Sequence, residues 1–213
     1  MKIIGTILIM SLFSLLMSSC SPKERTITDL NPDRHNEYYQ KGCDLIQPFM
    51  VLHGNEITPP QKRKVSDGIM YLDAVTKINP ENWAAFWIKG KGYQALNDSL
   101  SAYTEFKSSY SIQKENPDVA RELMIECLNL GKADEGVQVA REALSLRPKE
   151  SGLVANLALA LLIQGNLDEA MFQIDKAISL DPSDEINKNV RSFILEVKSG
   201  QRKPPKTYHD LMK

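Results

Sequence analysis

Residues 156–182 read NLALALLIQGNLDEAMFQIDKAISLDP, which is two short amphipathic segments around Gly165 with a proline as the stop. Shifted back by 34 positions, residues 160–182 of this stretch fall on ECLNLGKADEGVQVAREALSLRP, residues 126–148. The turn glycine, an Asp-Glu pair, an alanine, a leucine and the closing proline all coincide. The unit therefore recurs, which directs the search for function toward a binding surface and away from a single active site.

A second shift of the same size reaches Gly90, Ala102 and Phe106, which hold the positions of two small residues and one large residue. No insertion separates the three copies. They cover residues 83–116, 117–150 and 151–184.

Small residues at helical spacing let two helices of each unit approach closely, and larger residues fill the space between neighbouring units. Those small residues are Gly90, Ala102, Gly136, Ala158 and Ala170. A helix of about 12 to 15 residues is marginal alone in water, so stability must come from stacking on neighbours.

This pattern resembles the tetratricopeptide repeat family, whose 34-residue unit is a pair of helices with conserved small, aromatic and proline positions. The resemblance implies an all-α, right-handed α-solenoid of helical hairpins with a C-terminal capping helix. Three positions depart from the family pattern: Lys89 replaces leucine, Ser109 replaces alanine, and Lys114 stands where proline is usual.

The repeat domain is expected to span residues 34–199. A degenerate first repeat at 35–82 pairs a helix within residues 34–52 with one that ends at Pro80, and an insertion separates the two helices. Residues 53–61 are expected to be non-helical because they contain Gly54 and Pro59-Pro60. Residues 185–199 fit a capping helix with Val190, Ile194 and Val197 on one stripe, and 200–213 read as a flexible, solvated basic tail.

The first twenty residues have the layout of a secretory signal: Lys2, an apolar run, then small residues before Cys20. Cysteine at the cleavage point resembles the bacterial lipoprotein signal, with residues 1–19 removed and Cys20 acylated. A plain signal peptide and an uncleaved anchor are the alternatives. Residues 20–33 then read as a tether. Ser21 favours the outer membrane, facing the periplasm, as the destination.

The composition offers little support for catalysis or nucleic-acid binding. Acidic and basic residues nearly balance, 27 against 26, so no overall field favours nucleic acid. The three histidines lack zinc-site spacing, and no glycine-rich phosphate loop follows a strand. We expect no metal, no cofactor, no small-molecule substrate and no enzymatic activity. Cys43 and Cys127 fall in non-adjacent hairpins, so we expect both to be unpaired, buried, small hydrophobes.

In the family that the sequence resembles, alternate positions of each first helix line a concave groove that receives a peptide. The matching positions here are Tyr39, Gln40, Cys43, Trp87, Ile88, Lys91, Arg121, Glu122, Ile125, Ala155, Asn156 and Leu159. The candidate site comprises Tyr39, Trp87, Ile88, Lys91, Arg121 and Asn156, because aromatic and arginine side chains often dominate binding. Packing between hairpins is the alternative role for Trp87.

The sequence thus predicts a non-catalytic scaffold, lipid-anchored at Cys20, that binds a protein or peptide segment during assembly of the bacterial envelope. It resembles repeat lipoproteins that act in outer-membrane protein insertion, pilus biogenesis or recruitment of cell-wall enzymes. One alternative is an envelope enzyme or substrate carrier that uses His53 and Glu56 of the insertion. The other is an architectural subunit that oligomerises through its outer face.

Overall fold

The computed structural model describes residues 26–50 and 57–212. Within these ranges the chain forms nine α-helices and no strand. The helices are α1 (His35–Ile46), α2 (Pro59–Ile78), α3 (Trp83–Ala95), α4 (Ser99–Ile112), α5 (Pro117–Asn129), α6 (Ala133–Leu146), α7 (Ser151–Gln164), α8 (Leu167–Leu180) and α9 (Glu185–Lys198). Short 3-10 helices cover Pro32–Arg34, Gln47–Phe49 and Tyr208–Met212.

Helices α1 to α8 form four hairpins that stack in chain order. Each helix packs mainly on the helix before it and the helix after it in the chain. The first helices of successive hairpins also touch, as α1 does with α3 and α5 does with α7. This nearest-neighbour arrangement is the geometry of an α-solenoid, in which the first helices lie side by side along one surface.

The three hairpin turns after α3, α5 and α7 repeat the same backbone geometry. Asn97, Gly131 and Gly165 have φ of +59°, +69° and +91°, the left-handed conformation that favours glycine and tolerates asparagine. One residue later, each turn closes with a backbone hydrogen bond of 2.8–2.9 Å to a carbonyl five residues back. These bonds join Asp98 to Tyr93, Lys132 to Cys127 and Asn166 to Leu161. The sequence repeat is therefore also a repeat of backbone conformation.

The small residues in the repeat stand where helices cross. A Cβ placed on Gly90 would lie 2.6 Å from the ring of Phe106, which is fully buried. In the first hairpin, a Cβ on Gly42 would lie 2.5 Å from Leu72 Cγ. The prediction that small residues set the helix spacing is confirmed at both crossings.

The buried side chains form two clusters, one from α1 to α3 and one from α4 to α9. Trp87 and Tyr93 of α3 pack against both clusters. Helix α3 therefore joins the degenerate first hairpin to the three regular repeats.

Helix α9 closes the last apolar face of the stack, as predicted. Ile194 and Val197 are buried, and Val190 packs beside them. Arg191 and Lys198 pair with Asp175 and Asp168 of α8, both at 2.6 Å.

Two boundaries differ from the sequence expectation near the first hairpin. Helix α2 begins at Pro59, so residues 59–61 are helical, because a first-turn proline loses no hydrogen bond and already has helical φ. The Thr58 backbone N–H donates to Gln61 Oε1 at 2.7 Å, which caps the start. Residues Ile27 and Leu30 of the predicted tether pack against the first core cluster, so the described part of 20–33 belongs to the fold.

The prediction of a solvated tail at 200–213 is also wrong for the described residues. Pro205 is buried, and Tyr208 and Leu211 pack against the second core cluster. Apolar side chains at intervals of three residues gain from burial, which outweighs the basic character of the segment. Residues 1–25, including Cys20, and residues 51–56 and 213 lie outside the described part, so the signal and the lipid anchor stay predictions.

Gly90→Ala should lower the free energy of unfolding by about 1 to 3 kcal/mol, because the new methyl group overlaps the Phe106 ring in a packed core. Urea denaturation measures this change in the free energy of unfolding. The matched control is Gly152→Ala in α7, where the added Cβ meets nothing within 4 Å. That change should raise stability by about 0.4 to 1 kcal/mol. Equal effects from the two substitutions would contradict a close helix crossing at Gly90.

Candidate binding groove

The candidate groove is the surface formed by the first helices α1, α3, α5 and α7. The structure places the predicted residues on these four helices, but their accessibility differs. Tyr39, Trp87, Arg121 and Asn156 are partly exposed, whereas Ile88 and Lys91 are buried, each with less than a tenth of its surface accessible. Ile88 and Lys91 therefore form the floor of the candidate groove, and their contact with a partner stays a prediction.

Lys91 is buried because it pairs with a carboxylate from the next repeat. Its Nζ lies 2.9 Å from Glu122 Oε2 of α5, and both side chains are only 6% exposed. The ammonium also lies 5.8 Å from the centre of the Trp87 ring, within cation–π range. The ion pair thus links α3 to α5, and the cation–π contact lies within α3.

A second set of polar contacts extends this link toward the ends of the two helices. Gln94 Nε2 donates to Glu122 at 3.2 Å and to Glu126 Oε1 at 2.7 Å. Asn129 donates to the other oxygen of Glu126 at 3.1 Å. Glu126 is 1% exposed, so its charge depends on these donors for compensation.

Trp87 belongs chiefly to the packing between repeats. Its ring contacts both core clusters, and its indole Nε1 is buried with no hydrogen-bond partner among the described residues. A buried indole nitrogen usually has a hydrogen-bond partner. Because this one has none among the described residues, packing and the Lys91 ammonium position the ring instead. A partly exposed edge still reaches the groove surface.

The accessible part of the groove carries one cation and mixed polar and apolar groups. The Arg121 side chain is 38% exposed. It pairs with Asp118 at 3.2 Å and with Glu122 at 3.7 Å. Tyr39 is partly buried beside Cys43, and this burial raises the pKa of its hydroxyl. Asn156 and Leu159 give α7 one polar and one apolar group, both partly exposed.

A buried charge cluster explains the departure from the family pattern at Lys89. Lys89 Nζ lies 2.5 Å from Asp73 of α2 and 3.0 Å from Glu105 of α4, and its side chain is 6% exposed. Burial raises the pKa of Glu105, and the Lys89 ammonium opposes that rise. The leucine contact of a regular repeat is replaced here by an ionic contact among three helices.

Sequence reasoning missed both ionic clusters. The available signal was the presence of Lys89 at a helix position where the repeat family has leucine. Charged side chains are rarely fully buried unless paired, so such positions should prompt a search for partners one repeat away.

The two cysteines of the described region are unpaired, as predicted. Cys127 is fully buried, and burial raises the pKa of its thiol to about 12. Burial also raises the pKa of Cys43, which is partly exposed. Because the thiolate is the reactive form, neither cysteine is poised as a nucleophile.

The described residues contain no group of three or more histidine, cysteine or acidic side chains placed to hold a metal ion. None of their helices is both long and apolar enough to cross a bilayer. His53 and Glu56, on which the alternative of an enzyme or carrier depends, lie outside the described residues.

Comparison with known proteins supports the repeat assignment at the level of sequence and of fold. The family model for the tetratricopeptide repeat matches residues 153–184. The matched stretch is the last of the four helical hairpins, formed by α7 and α8. No curated protein sequence matches it.

Solved structures with the same fold include MamA, residues 41 to the end, from Desulfovibrio magneticus RS-1, with a TM-score of 0.66 and 14% identity. That match covers 86% of this chain and 96% of the other. MamA of AMB-1 matches with a TM-score of 0.60 and 19% identity over 78% and 90% of the two chains. PilF of Pseudomonas aeruginosa matches with a TM-score of 0.58 and 18% identity, over 84% of this chain and 75% of that chain. The predicted all-α, right-handed α-solenoid is confirmed, and it is consistent with a protein-interaction scaffold.

Glu122→Leu should lower the free energy of unfolding by about 3 to 5 kcal/mol, because it leaves the buried Lys91 ammonium without its carboxylate. Adding Lys91→Met should recover most of this loss, since a buried ion pair can be replaced by apolar groups of similar volume. Thermal and urea unfolding of the single and double variants measure the coupling. Glu185→Leu, which breaks an exposed pair with Lys188, should cost less than about 1 kcal/mol. A double variant as unstable as Glu122→Leu alone would contradict the assigned pairing.

Proposed function

We propose that this protein is a non-catalytic scaffold that binds a segment of a partner protein along the inner surface of α1, α3, α5 and α7. The observation that carries the proposal is the contrast between the floor and the surface of the groove. In the floor, Lys91 and Glu122 are buried and pair with each other. Tyr39, Arg121 and Asn156, in contrast, are partly accessible. A rigid floor under adaptable polar and aromatic groups suits recognition of a peptide.

The outer surface is formed by the second helices. There, charged side chains of neighbouring helices pair with one another. Tyr103 donates to both oxygens of Glu135, at 2.8 and 3.0 Å, and Lys107 joins the same carboxylate at 2.8 Å. Arg141 pairs with Glu169 at 2.6 Å. These contacts join α4, α6 and α8 to one another.

One observation favours the alternative of an architectural subunit. Six large apolar side chains are exposed in the described region, and all lie on second helices or on α9. They are Leu100, Leu146, Phe172, Leu180, Ile186 and Leu195. Isolated exposed apolar residues are normal on soluble proteins, so the inner surface remains the better candidate. Crosslinking from Asn156 and from Phe172 distinguishes the two functions.

A photo-crosslinking amino acid in place of Asn156, on the inner surface of α7, should capture a different protein in living cells. The same amino acid in place of Phe172, on the outer side of α8, is the matched control and should capture nothing. Mass spectrometry of the adducts identifies what is bound. Adducts from position 172 alone would contradict the groove, and adducts of twice the chain mass from that position would establish an architectural oligomer.

We further propose that the scaffold works at the bacterial envelope, attached to the outer membrane on its periplasmic side through an acylated Cys20. The support is the sequence of residues 2–20: a positive charge, a short apolar run and small residues before the cysteine. The run is shorter than the roughly 20 residues that span a bilayer, which favours a cleaved signal over a permanent span.

Cys20→Ala should abolish incorporation of a clickable palmitate analogue into the protein, because it removes the thiol that receives the diacylglycerol. Gel fluorescence of immunoprecipitated protein measures incorporation. Cys43→Ala, which removes a partly buried thiol of α1, should label like the wild type. Label retained by Cys20→Ala would contradict the lipid anchor, and so would a wild-type protein that never incorporates label.

A further inference from the structure

The chain that follows α9 turns back along the stack. Gly200 has φ of +78°, which reverses the direction of the backbone after α9. Arg202 then pairs with Glu196 at 2.9 Å and stacks over the Phe193 ring at 4.3 Å. These contacts direct the segment away from the end of the solenoid and toward its middle.

Residues 204–212, here called the strap, dock through three apolar anchors. Pro205 is buried, and Tyr208 and Leu211 pack against the second core cluster. Tyr208 and Leu211 belong to a 3-10 helix, in which residues three apart lie on the same side. Asp210 accepts backbone hydrogen bonds from Lys206 and Thr207 at 3.0 and 3.1 Å, so the strap carries its own local fold.

The strap lies on α5, the central first helix of the three regular repeats. Its 3-10 helix has its principal contact with α5, and a Cβ on Gly131 would lie 3.6 Å from the Lys206 carbonyl oxygen. Other sides of α5 are covered by α4, α6 and α7, and by Lys91 and Gln94 of α3. The approach at Gly131 places Lys206 of the strap at the C-terminal end of α5. A partner that extends from α3 to α7 must cross this helix.

We propose that the strap is an intramolecular ligand that occupies the groove at α5 until a partner displaces it. This inference rests on the proposed function. It also defines the chemistry that α5 accepts: a short helical segment with an aromatic and an aliphatic side chain three residues apart. Most other strap residues are exposed, so few contacts oppose release, as is typical of segments that open locally.

The strap's own peptide provides a probe that requires no identified partner. A fluorescent peptide of residues 200–213 is titrated against the full chain, purified in detergent, and binding is read by anisotropy. In the wild type, the tethered strap competes at an effective concentration in the millimolar range, so added peptide should bind weakly. Tyr208→Ser with Leu211→Ser releases the strap and should tighten peptide binding at least tenfold. His209→Ser, an exposed position on the same 3-10 helix, should behave as the wild type.

Two further readouts exclude other roles for the strap. The released variant should melt within a few degrees of the wild type, since a displaceable ligand is not needed for the stack to fold. Adding Ile125→Ser on α5 should weaken peptide binding at least tenfold, whereas Leu146→Ser on the outer side of α6 should not. Equal peptide affinities for wild type and released variant, a large loss of melting temperature on release, or insensitivity to Ile125→Ser would each overturn the proposal.

The outcomes are separate from those for the proposed function. If the peptide binds the released variant through Ile125 but no partner is captured from position 156, the strap is a groove ligand and the scaffold function is wrong. If a partner is captured and the peptide never binds, the scaffold function stands without the strap.

Discussion

The stacking of each hairpin on the next is the constraint on which the rest of this structure depends. In the described part of the chain, helices of 12 to 20 residues pack mainly on adjacent helices of the stack, so each apolar face is buried only while the adjacent hairpin is in place. The stride of 34 residues fixes where each small side chain falls, and hence how closely successive helices approach. It also aligns the first helices, whose exposed sides together make a continuous surface that none of them has alone.

Charge enters this stack as a structural component. The Lys91–Glu122 pair and the Lys89–Asp73–Glu105 cluster both include contacts between consecutive hairpins, and Lys89 stands where a regular repeat has leucine. Buried ion pairs add little net stability over apolar packing, but they penalise any arrangement that separates the partners. Here they join α3 to both of its neighbours. The degenerate first hairpin is thereby held in register with the regular repeats despite its weaker sequence match.

Much of the fold followed from the sequence because the repeat supplies the same information several times. Gly131 and Gly165 marked the turns, and Gly90 marked a helix crossing without any knowledge of its neighbours. The positions of Pro59 and of the strap did not follow. A proline pair reads as a helix breaker unless one knows that it lies at the first turn. A segment with isolated apolar residues at 205, 208 and 211 carries no period of 3.6, and its burial depends on α5, about 80 residues away.

The candidate site was predicted less completely than the fold, for a related reason. The repeat pattern assigned Ile88 and Lys91 to the groove from their positions on a first helix. Whether a side chain there is buried, however, depends on which side chains of the next repeat lie against it. Glu122, which also accepts a hydrogen bond from Gln94, pairs with the Lys91 ammonium, and a sequence read one repeat at a time cannot show this pairing. Positions with less opposing bulk, such as Arg121 and Asn156, stayed accessible.

Native-state hydrogen exchange tests most directly the claim that neighbouring hairpins hold one another in place. The account predicts that backbone amides of α5 and α7 exchange most slowly, because hairpins flank them on both sides, with protection falling toward α1 and α9. Amides within a hairpin should share similar opening free energies, and the strap should open far more readily than α5. Helices of one hairpin that exchange independently, or greatest protection at the ends of the stack, would contradict it.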